Sequence, residues 1–239
     1  MLSIETCFSP LLFPARMMQG NHIVVVIDVL RATTAFCAAF DRGFRSILPV
    51  ATLEEARSYK EKGCVVAAER EGNKLDFADF GNSPVAFLRA EKVAEKLVYS
   101  TTNGTRAIET GKQADLLVAA SFSNLSAVSR WIENKGKNLL ILCSGWKNTF
   151  SLEDAMCAGA LASRLMANKN FTTSCDATRV AMFLWKNAEP GPEGFAKQSS
   201  HYQRLLNKGL SDDLNYCFRM DTSGAVPVMA DGVLVNAGR

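Results

Sequence analysis

The chain has 239 residues, enough for one large α/β domain or two small lobes with a sizeable core. Apolar residues make up 48% and charged residues 21%, which excludes a disordered or fibrous chain. A net charge of +3, with no Lys/Arg cluster interleaved with aromatics, argues against nucleic acid as a partner.

The seven cysteines are scattered, with no Cys-x-x-Cys pair, which favours free thiols in a reducing cytoplasm over disulfides or a thiolate zinc site. With His22 and His201 as the two histidines, any metal should be held by oxygen, which points to Mg2+. The opening Met1-Leu2-Ser3-Ile4-Glu5 lacks the basic-then-apolar order of a signal peptide, and no uncharged apolar run is long enough for a membrane span. A soluble cytoplasmic protein, with no membrane partner, is expected.

In chain order, a short strand is expected near Ser3–Phe8, after which Pro10 and Pro14 break the chain. A strand is expected over Ile23–Val29, opening on the β-branched apolar run Ile23–Ile27, the pattern of a strand buried on both faces of a parallel sheet. It ends on Asp28 and, three residues later, Arg31. A helix follows over about Thr33–Asp41, then a strand over Ser46–Val50. A second helix is capped by Thr52, with Glu55 at capping-box spacing. Cys64–Ala68 is another buried-strand run and ends on Glu69-Arg70-Glu71. Ser83-Pro84 opens a helix, serine at the cap and proline at the first helical position. Strands at Leu97–Ser100, Leu116–Ala120 and Leu139–Cys143 alternate with helices beginning near Arg106 and Ala127. Beyond Ser151 the pattern is mostly helical: Leu152–Met166, Asp176–Trp185, roughly Gly194–Asn207, and Ser211–Phe218. Val226–Met229 and Val233–Val235 suggest a final hairpin on the sheet edge. This order implies an α/β fold of alternating β/α units with a largely parallel sheet. Residues 1–239 are taken as one domain; a division into two lobes, with a boundary near 120–150, is left open.

In a parallel sheet all strand carboxyl ends point one way, so the exit turns converge and a ligand site is expected there. Those turns carry Asp28 and Arg31, Glu69, Thr101 through Thr105, Ser121–Asn124, and Ser144-Gly145. Arg31 offers a planar fork suited to an anionic oxygen group, or it pairs on the surface with Asp28. Asp28 and Glu69 are hard oxygen donors suited to magnesium, or solvated acids. Thr101, Thr102, Asn103, Gly104 and Thr105 combine hydroxyls, backbone N–H groups and a glycine at a helix start, an anion cradle or a plain capped helix. Asn82 and Ser83 have the same logic. Glu153 and Asp154 open the long helix, and either stabilise its N-terminus or supply a metal ligand and a general base. Cys143 at a strand end is a conceivable nucleophile, though no histidine lies near it in sequence. His201 is expected on the surface and His22 at a strand start.

Four motifs appear in order: Asp28-Val29-Leu30-Arg31-Ala32-Thr33-Thr34, Gly81-Asn82-Ser83-Pro84, Thr101-Thr102-Asn103-Gly104-Thr105-Arg106-Ala107 and Ser151-Leu152-Glu153-Asp154. Together they resemble the 2-phosphosulfolactate phosphatases, the ComB family, across nearly the whole chain. The family has Gly-Phe-Asp before its Gly-Asn-Ser-Pro, where this chain has Phe77-Ala78-Asp79-Phe80 and keeps the acid. The resemblance implies two related α/β lobes with the site between them. It also implies a magnesium-dependent phosphatase that converts 2-phospho-3-sulfolactate to 3-sulfolactate and phosphate, a step towards coenzyme M. On that reading Asp28, Arg31 and Glu153 are catalytic. Asp28, Glu69, Glu153 and Asp154 hold the metal, and Asn82, Ser83, Thr101–Thr105, Ser144 and Gly145 bind the small anionic phosphorylated substrate. A homodimer is compatible. Another 2-phospho-hydroxy acid as substrate, a non-catalytic binder of such an acid, and a hydrolase using Cys143 are the alternatives.

Overall fold

Strand β2 (His22–Ile27) is fully buried, and its alternation decides which residues face which core. Ile23, Val25 and Ile27 point into one apolar cluster, Val24 and Val26 into another on the opposite face. The computed structural model describes residues 1–13 and 22–238; Pro14 lies outside them. β2 pairs in parallel with β7 (Leu116–Ala120) and β8 (Asn138–Cys143). Beyond β8 lie β1 (Leu2–Cys7) and the two-residue β9 (Phe171–Thr172), also parallel. A second parallel block joins β4 (Val65–Arg70), β6 (Lys96–Ser100) and β3 (Ser46–Pro49), with the short β5 (Asn73–Lys74) antiparallel on β4.

The terminal hairpin, β10 (Pro227–Ala230) and β11 (Val233–Asn236), corrects the expectation of an edge position. It is inserted between the blocks, β10 on β7 and β11 on β3, in the order β5-β4-β6-β3-β11-β10-β7-β2-β8-β1-β9. Val228 and Leu234 are buried there. Both neighbouring strands need their edges paired, and the apolar hairpin supplies the pairing. The fold is therefore α/β around one mixed, mostly parallel sheet of eleven strands among the described residues. β7, which ends at Ala120, and β8, which lies within residues 120–150, pair with the same strand.

The hairpin also changes how the exits meet. Three antiparallel pairings in succession (β3/β11, β11/β10, β10/β7) invert one block relative to the other. Twist of roughly 20–25° per step, over the steps from β2 to β4, accumulates to on the order of 120–150°. That rotation carries the two sets of carboxyl ends back toward one another. Contact across the blocks bears this out, since Arg31 after β2 donates to the carbonyl of Gly72 after β4 at 2.9 Å.

Helices cover both faces. α1 (Ala32–Arg42), α3 (Pro84–Leu88) and α4 (Gly104–Gly111) bury Phe36, Phe40, Phe87 and Ile108 against one face. α5 (Leu125–Lys135), α6 (Leu152–Ala167) and α7 (Asp176–Ala188) cover the other. α2 (Leu53–Glu61), capped by Thr52 through the Glu55 amide, closes a small third cluster beside β4. The stretch expected as one helix over 194–207 is broken into α8 (Pro192–Ala196) and α9 (Ser200–Leu206), because Ser199 caps a new start. α10 (Ser211–Cys217) follows. No helix among the described residues is long and apolar enough to cross a membrane.

Candidate active site

Asp28 ends β2 as the backbone turns into α1. Its backbone N–H donates to the Thr33 hydroxyl, and its Oδ1 accepts the Ala32 amide at 3.2 Å. Burial pushes its carboxyl up to about 6, against the opposing pull of the Ala32 amide. Gly104 lies close against it: a Cβ there would fall 3.0 Å from Asp28 Oδ2 and collide with the Ala32 methyl. Glycine is required by this approach. Asp28, Arg31, Glu69, Asn82, Thr101, Asn103, Trp146, His201 and Arg204 line one narrow cleft.

The predicted residues do gather around this cleft, but many have employment other than the one expected. Glu69 is saturated: Oε1 accepts the Thr102 amide (2.9 Å) and hydroxyl (3.2 Å), and Oε2 accepts the Gly72 amide (2.6 Å). Asp154 is saturated too. Its Oδ1 accepts the Val29 amide at 2.8 Å, and its Oδ2 accepts the Ser144 hydroxyl at 3.1 Å and the Gly145 amide at 3.2 Å. Ser144 and Gly145, expected on the substrate, thus serve to hold Asp154 and tie the β8 exit to the β2 exit. Burial, then the charges of Asp28 and Glu153, raise the Asp154 carboxyl well above its usual range.

Arg31 lines the cleft but is also bonded to protein. Its fork is taken by protein: Nη1 donates to Asp213 Oδ2 at 2.5 Å, Nη2 to the Gly72 carbonyl, and the pair is almost wholly buried. Asp213 in α10 also accepts the Ser83 hydroxyl at 2.6 Å. Ser83 in turn caps α3 through the Ala86 amide, and Asn82 accepts the Tyr99 hydroxyl. The Leu30–Arg31 peptide is cis. Within the threonine turn, Thr101 Oγ1 accepts the Thr105 amide and Thr105 Oγ1 donates to the Thr101 carbonyl. Thr102 and Thr105 line a neighbouring cleft with Arg70 and Arg106.

Glu153 is different. Its Oε1 lies 2.7 Å from His201 Nδ1, and its buried Oε2 meets no donor. Burial alone would raise this carboxyl, but the hydrogen bond and charge of His201 outweigh it and hold it below its usual range. His201 is therefore no free surface residue. Together with Asp213, Trp146 and Arg204 it belongs to the part of the site that sequence reading missed. Three of these four lie in α9 and α10, which fold back over the strand exits from far along the chain. The one available signal was the i, i+3 spacing of His201 and Arg204 on one helix face.

Cys143 fails as a nucleophile. It is fully buried, and burial lifts its thiol well above the usual range, as it does for Cys157. Among the described residues no three of His, Cys, Asp and Glu converge as a metal cage. The four predicted carboxylates split into a saturated pair, Glu69 and Asp154, and a pair with oxygens to spare, Asp28 and Glu153. An unpartnered buried carboxylate oxygen such as Glu153 Oε2 is stabilised by a positive charge, and Asp28 on the cleft is a hard oxygen donor of the kind magnesium takes, with one or two carboxylates plus substrate oxygens.

Comparison with known proteins decides the family. The model of the 2-phosphosulpholactate phosphatase family matches residues 7–232. The chain belongs to the 2-phosphosulfolactate phosphatase family. It is 38% identical over 212 residues to a probable 2-phosphosulfolactate phosphatase of Thermotoga petrophila, covering 88% of this chain and 90% of the relative. Similar proteins carrying the same name occur in Parasynechococcus marenigrum (39% identical, 88% of this chain and 90% of the relative) and Clostridium perfringens (36%, 90% and 89%). The family's four motifs now have places. The Asp28 and Thr101 motifs supply the cleft floor, Asn82-Ser83 its link to α10, and Glu153-Asp154 the partner of His201 and the anchor of the exits.

Proposed function

We propose that this chain hydrolyses the phosphate ester of 2-phospho-3-sulfolactate to 3-sulfolactate and phosphate, in the cytoplasm, as a step of the kind that leads to coenzyme M, with magnesium as cofactor. The observation that carries the reading is a cleft lined by the buried acid Asp28, by arginine and by His201, with the unpartnered buried acid Glu153 held against His201, in a chain of this family. Magnesium held by Asp28 and Glu153 would offset the phosphoryl charge and make a bound water more acidic. Attack by water in line with the ester oxygen needs a proton delivered to that oxygen as it leaves. His201 suits this role: Glu153 fixes its Nδ1, leaving Nε2 to hold the proton at the cleft. The seven free thiols agree with a reducing compartment.

The test is a phosphate-release screen across 2-phospho-hydroxy acids, with and without magnesium. Release from 2-phosphosulfolactate that a chelator abolishes and magnesium restores supports the reading. A higher kcat/KM on another acid would move the substrate, and thermal stabilisation by 2-phosphosulfolactate without release would make the protein a binder.

A further inference from the structure

Two arginines line the cleft, and their bonding differs. The charge of Arg31 is met by Asp213, and two arms of its fork are spent on protein. Arg204, on α9, makes no hydrogen bond or ion pair with any described residue. It is half-buried nonetheless, and its guanidinium lies 3.5 Å from the centre of the Trp146 ring. Glu69 and Glu71 act on it only through space.

A half-buried guanidinium without acceptors costs free energy until something supplies them. Trp146 holds this one without neutralising it. Stacking on an indole fixes the plane of the guanidinium while its N–H edge stays free for a planar or tetrahedral oxyanion. A carboxylate in the same place would have consumed the charge, as Asp213 does for Arg31. The Trp146 ring centre is also 5.2 Å from that of His201, one turn earlier on α9, so one aromatic surface fixes both side chains. The other polar groups lining the cleft are neutral (Asn82, Thr101, Asn103) or acidic (Asp28, Glu69). Among the described residues lining the cleft, Arg204 is the cation left uncommitted for an entering phosphate dianion.

We propose that Arg204 binds the phosphoryl group of the substrate, and that Trp146 is the positioning residue that holds its guanidinium ready. The inference rests on the phosphatase reading for the identity of the ester, but not for the binding of phosphate itself. Arg31 is then a structural arginine that fixes the β2 exit to α10.

The experiment uses the full chain, the variants Arg204→Ala, Arg204→Lys and Trp146→Phe, and two readouts. One is calorimetric binding of inorganic phosphate and, separately, of 3-sulfolactate; the other is steady-state phosphate release from 2-phosphosulfolactate. Arg204→Ala should weaken inorganic phosphate about tenfold to a hundredfold, the loss of charged hydrogen bonds, with 3-sulfolactate within about twofold of wild type. Arg204→Lys should restore part of the loss, because charge returns without the fork. Trp146→Phe should weaken phosphate by less than Arg204→Ala. Unchanged thermal midpoints would confirm that the variants fold, as expected for a side chain with no hydrogen bond to a described residue. Phosphate binding unaffected by Arg204→Ala overturns the proposal. So does a loss confined to 3-sulfolactate, which would put Arg204 at the acid end. A wild-type chain that fails to turn over 2-phosphosulfolactate, yet binds phosphate through Arg204, removes the phosphatase reading and leaves this inference standing. Normal turnover by Arg204→Ala does the reverse.

Discussion

The strand exits and the helical roof above them treat charge in opposite ways. Backbone amides at the exits of β2, β4 and β8 engage two acids: Thr102 and Gly72 hold Glu69, and Val29 and Gly145 hold Asp154 on α6. These carboxylates act as staples between turns. In the roof, α9 presents His201 and Arg204 on an aromatic surface, with donors to spare. The difference shows where rigidity and reactivity lie. Amides from neighbouring turns fix the floor, whereas the side chains that handle a ligand are held by stacking and single contacts, which leave their polar edges unused.

Asp28 stands between the two regimes, and changing it gives the largest expected effect. Asp28→Asn should lower kcat by on the order of 10³-fold, about 4 kcal/mol in the barrier. In metal-free protein the same change should raise stability above pH 6. The folded carboxyl is pushed up to about 6 from 3.8, so burying its charge costs on the order of 3 kcal/mol above pH 6, a cost that fades as the pH falls to 4. A thermal midpoint lower than wild type at pH 8 would break this picture.

Asp213→Ala comes next. It strands Arg31 as a buried charge and should cost about 3–5 kcal/mol of stability, read by denaturant unfolding. A loss below 1 kcal/mol would mean that Arg31 finds another acceptor and that the seam between exit and roof is soft. Gly104→Ala should cost about 1–3 kcal/mol through overpacking against Ala32, together with loss of activity from a displaced Asp28; a wild-type rate would show that the turn can yield. The smallest effect belongs to Lys147→Ala. It removes an exposed pair with Glu71 at the cleft rim, and the thermal midpoint should not move measurably.

Much of the floor was legible because its signals are local. The β-branched run of β2, the Thr52 and Ser83 caps and the apolar cores of β7 and β8 each carry their reason within a few residues. The acids at the exits could be named, but not their partners. Whether a carboxylate meets an amide, a metal or water depends on turns distant in sequence, and Glu69 with Thr102 and Asp154 with Val29 are such cases. In the roof, His201 was expected only at the surface. Nothing around His201 in sequence announces that Glu153 lies beneath it. The hairpin misplacement has the same origin: two short apolar strands suit an edge or a centre equally well until their neighbours are known.

That central hairpin bears on how the molecule is made. β10 and β11 follow every other described strand in the chain, yet they occupy the middle of the sheet. Until they arrive, β3 and β7 carry raw edges facing each other, and the two parallel blocks have no shared hydrogen-bond ladder. Such late, non-local closure slows folding and prolongs the exposure of apolar strand edges to other chains. Assembly of the cleft floor from both blocks thus waits on a hairpin that follows all the other described strands in the chain.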